Sequence, residues 1–131
     1  MTSLDRPLAA DVLVFHLAGE RAHAADPEAL ARSGRSARTL VKDGALRVTL
    51  ITLAAGGAIA AHHATGPITV HVLDGALHFT ADSADHDLAA GDLLSLAAGI
   101  RHTVASDGGA TFLLTIGAAP GSTQQAGTAA I

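Results

Sequence analysis

The feature of this sequence that most restricts its fold is a regular spacing of turn signals from residue 38 onward. Short apolar runs alternate with Gly- or Asp-containing turns every 8 to 12 residues or so, a spacing typical of β-sandwiches and barrels. The pattern predicts strands over the runs 38–42, 45–54, 58–63, 67–73, 76–81, 86–89, 93–96, 101–106 and 110–117. Tight hairpin turns are predicted at Asp43-Gly44 and Asp74-Gly75, because glycine accepts a positive φ. The run 112–116 is apolar on both faces, which predicts cover by a second sheet or a partner subunit.

The length of 131 residues fits a single domain with three parts. Residues 1–37 are predicted to form an arm packed on the barrel, with an edge strand over 11–17 and one short helix. Asp26 suits the N-cap of that helix, Pro27 its first turn and Gly34 its C-terminal cap. Residues 38–117 form the predicted barrel, and residues 118–131 a flexible tail of small, uncharged residues.

Composition excludes several classes of function. The chain has no cysteine, so disulfides, thiolate nucleophiles and cysteine-bound zinc are excluded. A formal charge of −4, with no run of Lys or Arg, disfavours binding to nucleic acid, because phosphate neutralisation needs a basic patch. No apolar run approaches the roughly 18 residues of a membrane span, and no basic segment precedes the first apolar stretch. We therefore expect a soluble cytoplasmic protein without a signal peptide.

Histidines carry the chemical signal, since the chain has eight of them. His62 and His63 end one predicted strand, His71 lies in the next, and His102 follows a glycine turn about 40 residues later. Imidazole is the commonest nitrogen ligand for divalent metals, and a barrel can bring such distant positions to one mouth. The other four are left outside the predicted site: His16, His23, His78 and His86.

The stretch from Leu46 to Ile116 resembles the two motifs of the cupin superfamily. Six of its residues stand at the spacing of those motifs: Gly56, His62, Gly75, Gly91, Gly99 and His102. The resemblance is to small single-domain cupins. It implies an all-β fold, a double-stranded β-helix (jelly-roll) barrel, with a metal bound by barrel histidines.

Four motif positions depart from the cupin pattern. Ala64 stands at the second histidine, Ile68 at the glutamate, Ala97 at the proline and Ser106 at the asparagine. Of the four usual metal ligands, only His62 and His102 are in place, and no carboxylate stands at a ligand position of either motif. Both glutamates of the chain, Glu20 and Glu28, lie in the N-terminal segment.

A third ligand depends on strand alternation. Successive side chains of a strand face opposite sides, so His62 and His63 cannot both face inward from a regular strand. If Ile68 faces inward, His71 faces outward unless a bulge intervenes. If four residues rather than three separate the second histidine position from the glutamate position at Ile68, His63 takes that second ligand position. Two histidines are thus expected in the site, and either His63 or His71 as a third stays open.

The sequence predicts a site for a divalent transition metal (Zn, Ni, Co, Cu or Fe), because these ions accept imidazole ligands. A small molecule is expected beside it in an apolar pocket lined by Ile59, Ile68, Val70, Leu96, Val104 and Leu114. No reaction or catalytic residue is assigned, and whether the chain is an enzyme stays open. The alternative hypothesis is a ligand-binding or sensing cupin without metal, and a homodimer is expected in either case.

Overall fold

The computed structural model describes residues 6–117 as two short helices followed by eight strands. The helices are α1 (Leu17–Ala24) and α2 (Pro27–Ser33). The strands are β1 (Arg35–Asp43), β2 (Leu46–Leu53), β3 (Ala58–His62), β4 (Ile68–Ala81), β5 (Ala84–Ala89), β6 (Leu93–Leu96), β7 (His102–Ala105) and β8 (Ala110–Gly117). No helix in residues 6–117 is long and apolar enough to cross a membrane.

All strand pairs are antiparallel, and together they form a curled half-barrel, so the predicted all-β cupin-type fold is confirmed. One sheet has the order β1-β2-β8-β4-β6 and the other β5-β4-β7-β3. β4 belongs to both sheets and joins them. β1 and β3 are therefore the two ends of the path β1-β2-β8-β4-β7-β3.

The hairpin predicted at Asp74-Gly75 is wrong, because β4 continues through these residues without reversing. Residues 68–75 pair with β8, residues 76–81 pair with β5, and residues 78–81 also pair with β7. The register against β8 shifts between Val72 and Asp74, as expected where a strand bends from one sheet to another. The positive φ of Gly75, +77°, thus serves a corner of the barrel rather than a turn.

Two other turn signals do form hairpins. Asp43 pairs with Leu46, so Gly44 lies in the two-residue loop between β1 and β2, as predicted. Asp82 and Ser83 connect β4 to β5 with φ of 50° and 66°. Both residues take positive φ, which matches the right-handed twist of the flanking strands.

Inward-facing side chains of both sheets form one apolar core. Alternate residues of β4 and β8 enter it and are fully buried, among them Val70, Val72, Phe112 and Leu114. Phe79 enters from the second half of β4, also fully buried.

The N-terminal arm differs from its prediction. The edge strand expected over 11–17 is wrong: residues 12–16 are neither helix nor strand, and Leu17 begins α1. Phe15 and Leu17 instead pack beside Leu50 and Leu113 on the outer face of the first sheet, a contact that needs no backbone pairing. The second apolar face of β8 is therefore covered in part by the chain's own arm.

The helix expected between Asp26 and Gly34 is present as α2. The Asp26 carboxylate accepts a hydrogen bond from the Glu28 backbone N–H at 3.2 Å, which satisfies one free donor of the first turn. Gly34 ends the helix in the left-handed conformation, with φ of +76°.

Candidate functional site

His62 and His102 come together across the β3–β7 pair, as the sequence predicted. They are directly opposite each other in the register, with ring centroids 4.5 Å apart and planes tilted by 58°. His102 is 2% exposed, and its ring stacks on Phe79 at 5.3 Å. The pair therefore lies at the inner wall of the half-barrel.

A bulge in β3 turns His62 inward. Ile59 is opposite Val104 and His62 is opposite His102, so β3 advances three residues while β7 advances two. Ile59 and Val104 both belong to the core. In a regular strand His62 would face away from the side of Ile59, because side chains alternate. The extra residue restores it to that side.

Both imidazoles are held by a backbone carbonyl two residues earlier. Nδ1 of His62 donates to the Ala60 oxygen at 2.8 Å, and Nδ1 of His102 donates to the Ile100 oxygen at 2.9 Å. A carbonyl only accepts, so in a neutral ring the lone pair is on Nε2. Nε2 of His62 is buried and has no hydrogen-bond partner among the described residues. This nitrogen is shielded from water and carries the lone pair through which an imidazole can bind a metal.

The pKa of His62 is lowered from its ordinary value. Burial is the main cause, because it disfavours the charged imidazolium. The nearby positive charges of His102, Arg35 and His63 act in the same direction, while the hydrogen bond to the Ala60 carbonyl opposes them. The neutral form, which can bind a metal, is therefore favoured at ordinary pH.

Neither of the two further candidate histidines joins this pair. His63 is exposed just beyond the end of β3. His71 lies on β4 opposite Leu93 and Leu113. It follows the buried Val70, so its side chain is on the other face of the strand, away from the core. Across residues 6–117, no three His, Cys, Asp or Glu side chains gather in a group that could hold a metal ion.

The departing motif residues have structural roles. Ala64 and Ile68, at the positions of the second histidine and the glutamate, are buried in the apolar core at 3% and 2% exposure. Ser106, at the asparagine position, donates from its hydroxyl to the Ala76 carbonyl at 2.7 Å. That bond ties the end of β7 to β4.

A cavity of about 740 Å³ opens between β1 and β3, the two ends of the strand path, with α2 contributing to its wall. His62 and Ile59 line its β3 side, so one of the predicted pocket residues is placed there. The other five do not line this cavity and pack in or against the core: Ile68, Val70, Leu96, Val104 and Leu114.

Four arginines also line this cavity, a feature that the sequence analysis missed: Arg6, Arg32, Arg35 and Arg38. Arg35 is paired with the core residue Leu53, so its side chain lies on the inner face of β1. Arg38 forms an ion pair with Glu20, with 2.8 Å between Nε and the carboxylate oxygen. Arg6 donates a hydrogen bond to the Thr39 carbonyl at 2.6 Å. No run of basic residues marks this gathering in the sequence, because the arginines come from the segment before α1, from α2 and from β1.

His78, left outside the predicted site, is held by two carboxylates on the β4–β5 hairpin. Its Nδ1 lies 2.6 Å from Asp87 and its Nε2 lies 3.6 Å from Asp85. The hydrogen bond with Asp87 is the main cause of a raised pKa for His78. The hairpin therefore gains stability from protonated His78 below the ordinary pKa of 6.5, and loses that gain as pH rises through the folded-state pKa.

We expect an NMR titration of the His78 ring to give a pKa above 6.5 in the native protein. Asp87→Asn should lower that value, because the amide removes the negative charge opposite the ring. A His78 pKa that is equal in the two proteins would contradict this account of the pair.

The fold and the paired histidines agree with a family comparison. The sequence model of the cupin domain family matches residues 40–116, more than half of the chain. The chain belongs to the cupin family. The match spans β2 to β8, so the strands that carry His62 and His102 are cupin strands.

Solved structures support this assignment. A conserved protein of unknown function from Streptococcus pyogenes is 27% identical, with a TM-score of 0.63 over 67% of this chain and 77% of that one. A cupin superfamily protein from Desulfitobacterium hafniense is 21% identical, with a TM-score of 0.63 over 65% and 78%. Salicylate 1,2-dioxygenase from Pseudoaminobacter salicylatoxidans shares 13% identity, with a TM-score of 0.73 over 86% of this cupin and 35% of the enzyme. A comparison with curated proteins gave no match.

Proposed function

We propose that this cupin binds a small molecule in the cleft between β1 and β3, beside a divalent transition metal held by His62 and His102. The observation that carries the proposal is the buried Nε2 of His62, which has no hydrogen-bond partner in residues 6–117 and lies next to the ring of His102. An unpartnered buried nitrogen is destabilising unless something binds it, because desolvation of a polar group is costly.

The donor set fits such a metal in part. In each ring the hydrogen bond from Nδ1 to a carbonyl fixes the orientation of the imidazole, as proteins commonly do for a metal-binding histidine. At His62 this leaves Nε2 buried without a partner in residues 6–117. Nitrogen ligands suit zinc, nickel, cobalt, copper or iron better than magnesium or calcium. With no third ligand in residues 6–117, water or the small molecule would fill the other positions. A metal there would polarise an oxygen atom of the bound molecule.

Cobalt binding to tag-free protein tests the proposal. Protein stripped with a chelator and dialysed should bind about one Co²⁺ per chain, seen by calorimetry and by the visible absorption of the ion. His62→Ala and His102→Gln should each weaken this binding at least about tenfold, since even indirect ligand support is worth that much. Gln replaces the buried His102 so that a polar side chain remains in its place.

His63→Ala and His71→Ala are the matched controls, because they remove an imidazole that lies outside the pair. We expect both to bind Co²⁺ with the affinity of the native protein. The proposal would fail if stoichiometric binding is absent, or if His71→Ala weakens it as much as His62→Ala does.

A second function, ligand binding or sensing without metal, is favoured by the apolar residues at the lost ligand positions. Ala64 and Ile68 pack in the core, so nothing in the described chain completes a three-ligand site of the kind that keeps a metal through catalysis. In that case the cleft would bind its small molecule equally well before and after chelation. Ligand binding that disappears with the chelator would exclude it.

A further inference from the structure

The lining of the cavity beside His62 is positively charged, although the protein as a whole is acidic. It collects four of the eight Lys and Arg residues of a protein whose formal charge is −4. Within residues 6–117, Asp26 is the only acidic residue that lines it, and its carboxylate accepts a hydrogen bond at the start of α2. The lining therefore keeps an excess of positive charge within an otherwise acidic protein.

The arginines differ in how far their charges are compensated. Arg38 is paired with Glu20, and both side chains are mostly buried. Arg32 and Arg35 make no ion pair with any residue in the range 6–117. Arg6 donates to a neutral carbonyl, and its Nε is buried without an acceptor. Three guanidinium groups thus border the cleft without a carboxylate partner.

The placement of Arg35 connects this charge to the histidine pair. It begins β1 on the inner face of the strand, and its charge is close enough to His62 to lower the pKa of that ring. The buried side-chain atoms without a hydrogen-bond partner in residues 6–117 are Arg6 Nε and His62 Nε2, and both residues line the cavity. A buried polar atom of this kind needs a hydrogen-bond partner, which water or a ligand in the cavity can supply.

We propose that this cleft binds a small-molecule oxyanion, a carboxylate or phosphate, with Arg35 and Arg32 at the anionic group and His62 at the inner end. Guanidinium groups suit this role, because their planar N–H fork donates two parallel hydrogen bonds to such an anion. The volume of about 740 Å³ lies in the range of cavities that hold one metabolite-sized ligand. The inference deepens the proposed function and rests on it for the location of the ligand, although the anion does not need the metal.

Binding of malonate and malonamide to chelator-treated protein tests the charge requirement, because the two probes have similar size and differ in charge. We expect malonate to shift amide NMR signals of residues 35–39 and 58–62 in a saturable manner, and malonamide to bind at least about tenfold more weakly. Inorganic phosphate, measured in the same way, separates a general oxyanion site from one selective for carboxylates. Equal binding of malonate and malonamide would overturn the proposal, and so would shifts confined to residues outside the cleft.

Arginine variants locate the site. Arg35→Gln should weaken malonate binding about tenfold, and Arg32→Gln should also weaken it, since each removes a charge-assisted hydrogen bond. Arg47→Gln is the control, because it removes the same charge from β2 outside the cavity. Equal losses in Arg35→Gln and Arg47→Gln would overturn the proposal in favour of nonspecific attraction.

The two proposals can fail separately. Malonate binding that survives chelation and depends on Arg35 supports the oxyanion site even if no Co²⁺ binds. Co²⁺ binding that depends on His62, together with no saturable malonate or phosphate binding, would overturn the oxyanion site and leave the metal site standing.

Discussion

Replacing Gly75 by alanine is expected to lower the free energy of unfolding by about 3 kcal/mol or more and Tm by roughly 10 °C or more. Gly75 bends β4 at φ +77°, a conformation that residues with a Cβ rarely adopt. An added Cβ would overlap the Gly109 carbonyl oxygen and stand 2.8 Å from the Ala110 Cα. Both are backbone atoms at the start of β8, so relief would require breaking the β4–β8 pairing. Denaturant and thermal unfolding measure the loss.

Gly56→Ala separates the effect of a positive φ from that of the contact between an added Cβ and neighbouring backbone atoms. Gly56 has φ of +79°, nearly the value of Gly75, but an added Cβ there would meet no atom of the described residues within 4 Å. We expect it to lose only the roughly 1–2 kcal/mol of a left-handed residue. Equal losses in the two variants would show that the contact with Gly109 contributes nothing.

Gly75 also shows where sequence reasoning reached the local conformation but not the path of the chain. Asp74-Gly75 was correctly expected to need a positive φ, yet the same φ suits a hairpin turn and a corner within a strand. Pairing with β8, far along the chain, decides between them. At Asp43-Gly44 the two flanking runs pair with each other, so the local signal was enough.

The proximity of His62 and His102 was predictable from the sequence, but the bulge that produces it was not. The family spacing identified His62 and His102, and the structure places them opposite each other. The bulge that turns His62 inward leaves no mark in the sequence, because residues 60 and 61 are alanines that suit any strand position. His71 could be assigned outward from alternation alone, since β4 has no bulge between Ile68 and Val72.

The arginine-lined cleft was not predictable, because it is assembled from separate elements. Arg6 comes from the segment before α1, Arg32 from α2 and Arg35 from β1. No run of basic residues marks the site, so a search for a basic patch in the sequence finds nothing. Only the tertiary structure, which places β1 and β3 at the two ends of the strand path, brings these arginines to one cavity.

Phe79→Ala is expected to lower the free energy of unfolding by about 3–5 kcal/mol, since Phe79 is fully buried and its removal leaves a cavity in the core. Phe112→Ala should lose a similar amount, because Phe112 is equally buried in the same core. Urea unfolding of both variants measures these losses. A loss below about 1 kcal/mol in either would mean that the core closes around the cavity.

The two phenylalanines should differ in their effect on the site, because only the ring of Phe79 is stacked on His102. Leucine variants, which keep most of the core volume, make this comparison in folded protein. Phe79→Leu should move the NMR signals of the His102 ring and weaken Co²⁺ binding about tenfold, as expected when the support of a ligand is lost. Phe112→Leu should leave both nearly unchanged. If the two variants move the His102 ring signals equally, a general loosening of the core is responsible and Phe79 does not position His102. The ring signals decide this even if the protein binds no metal.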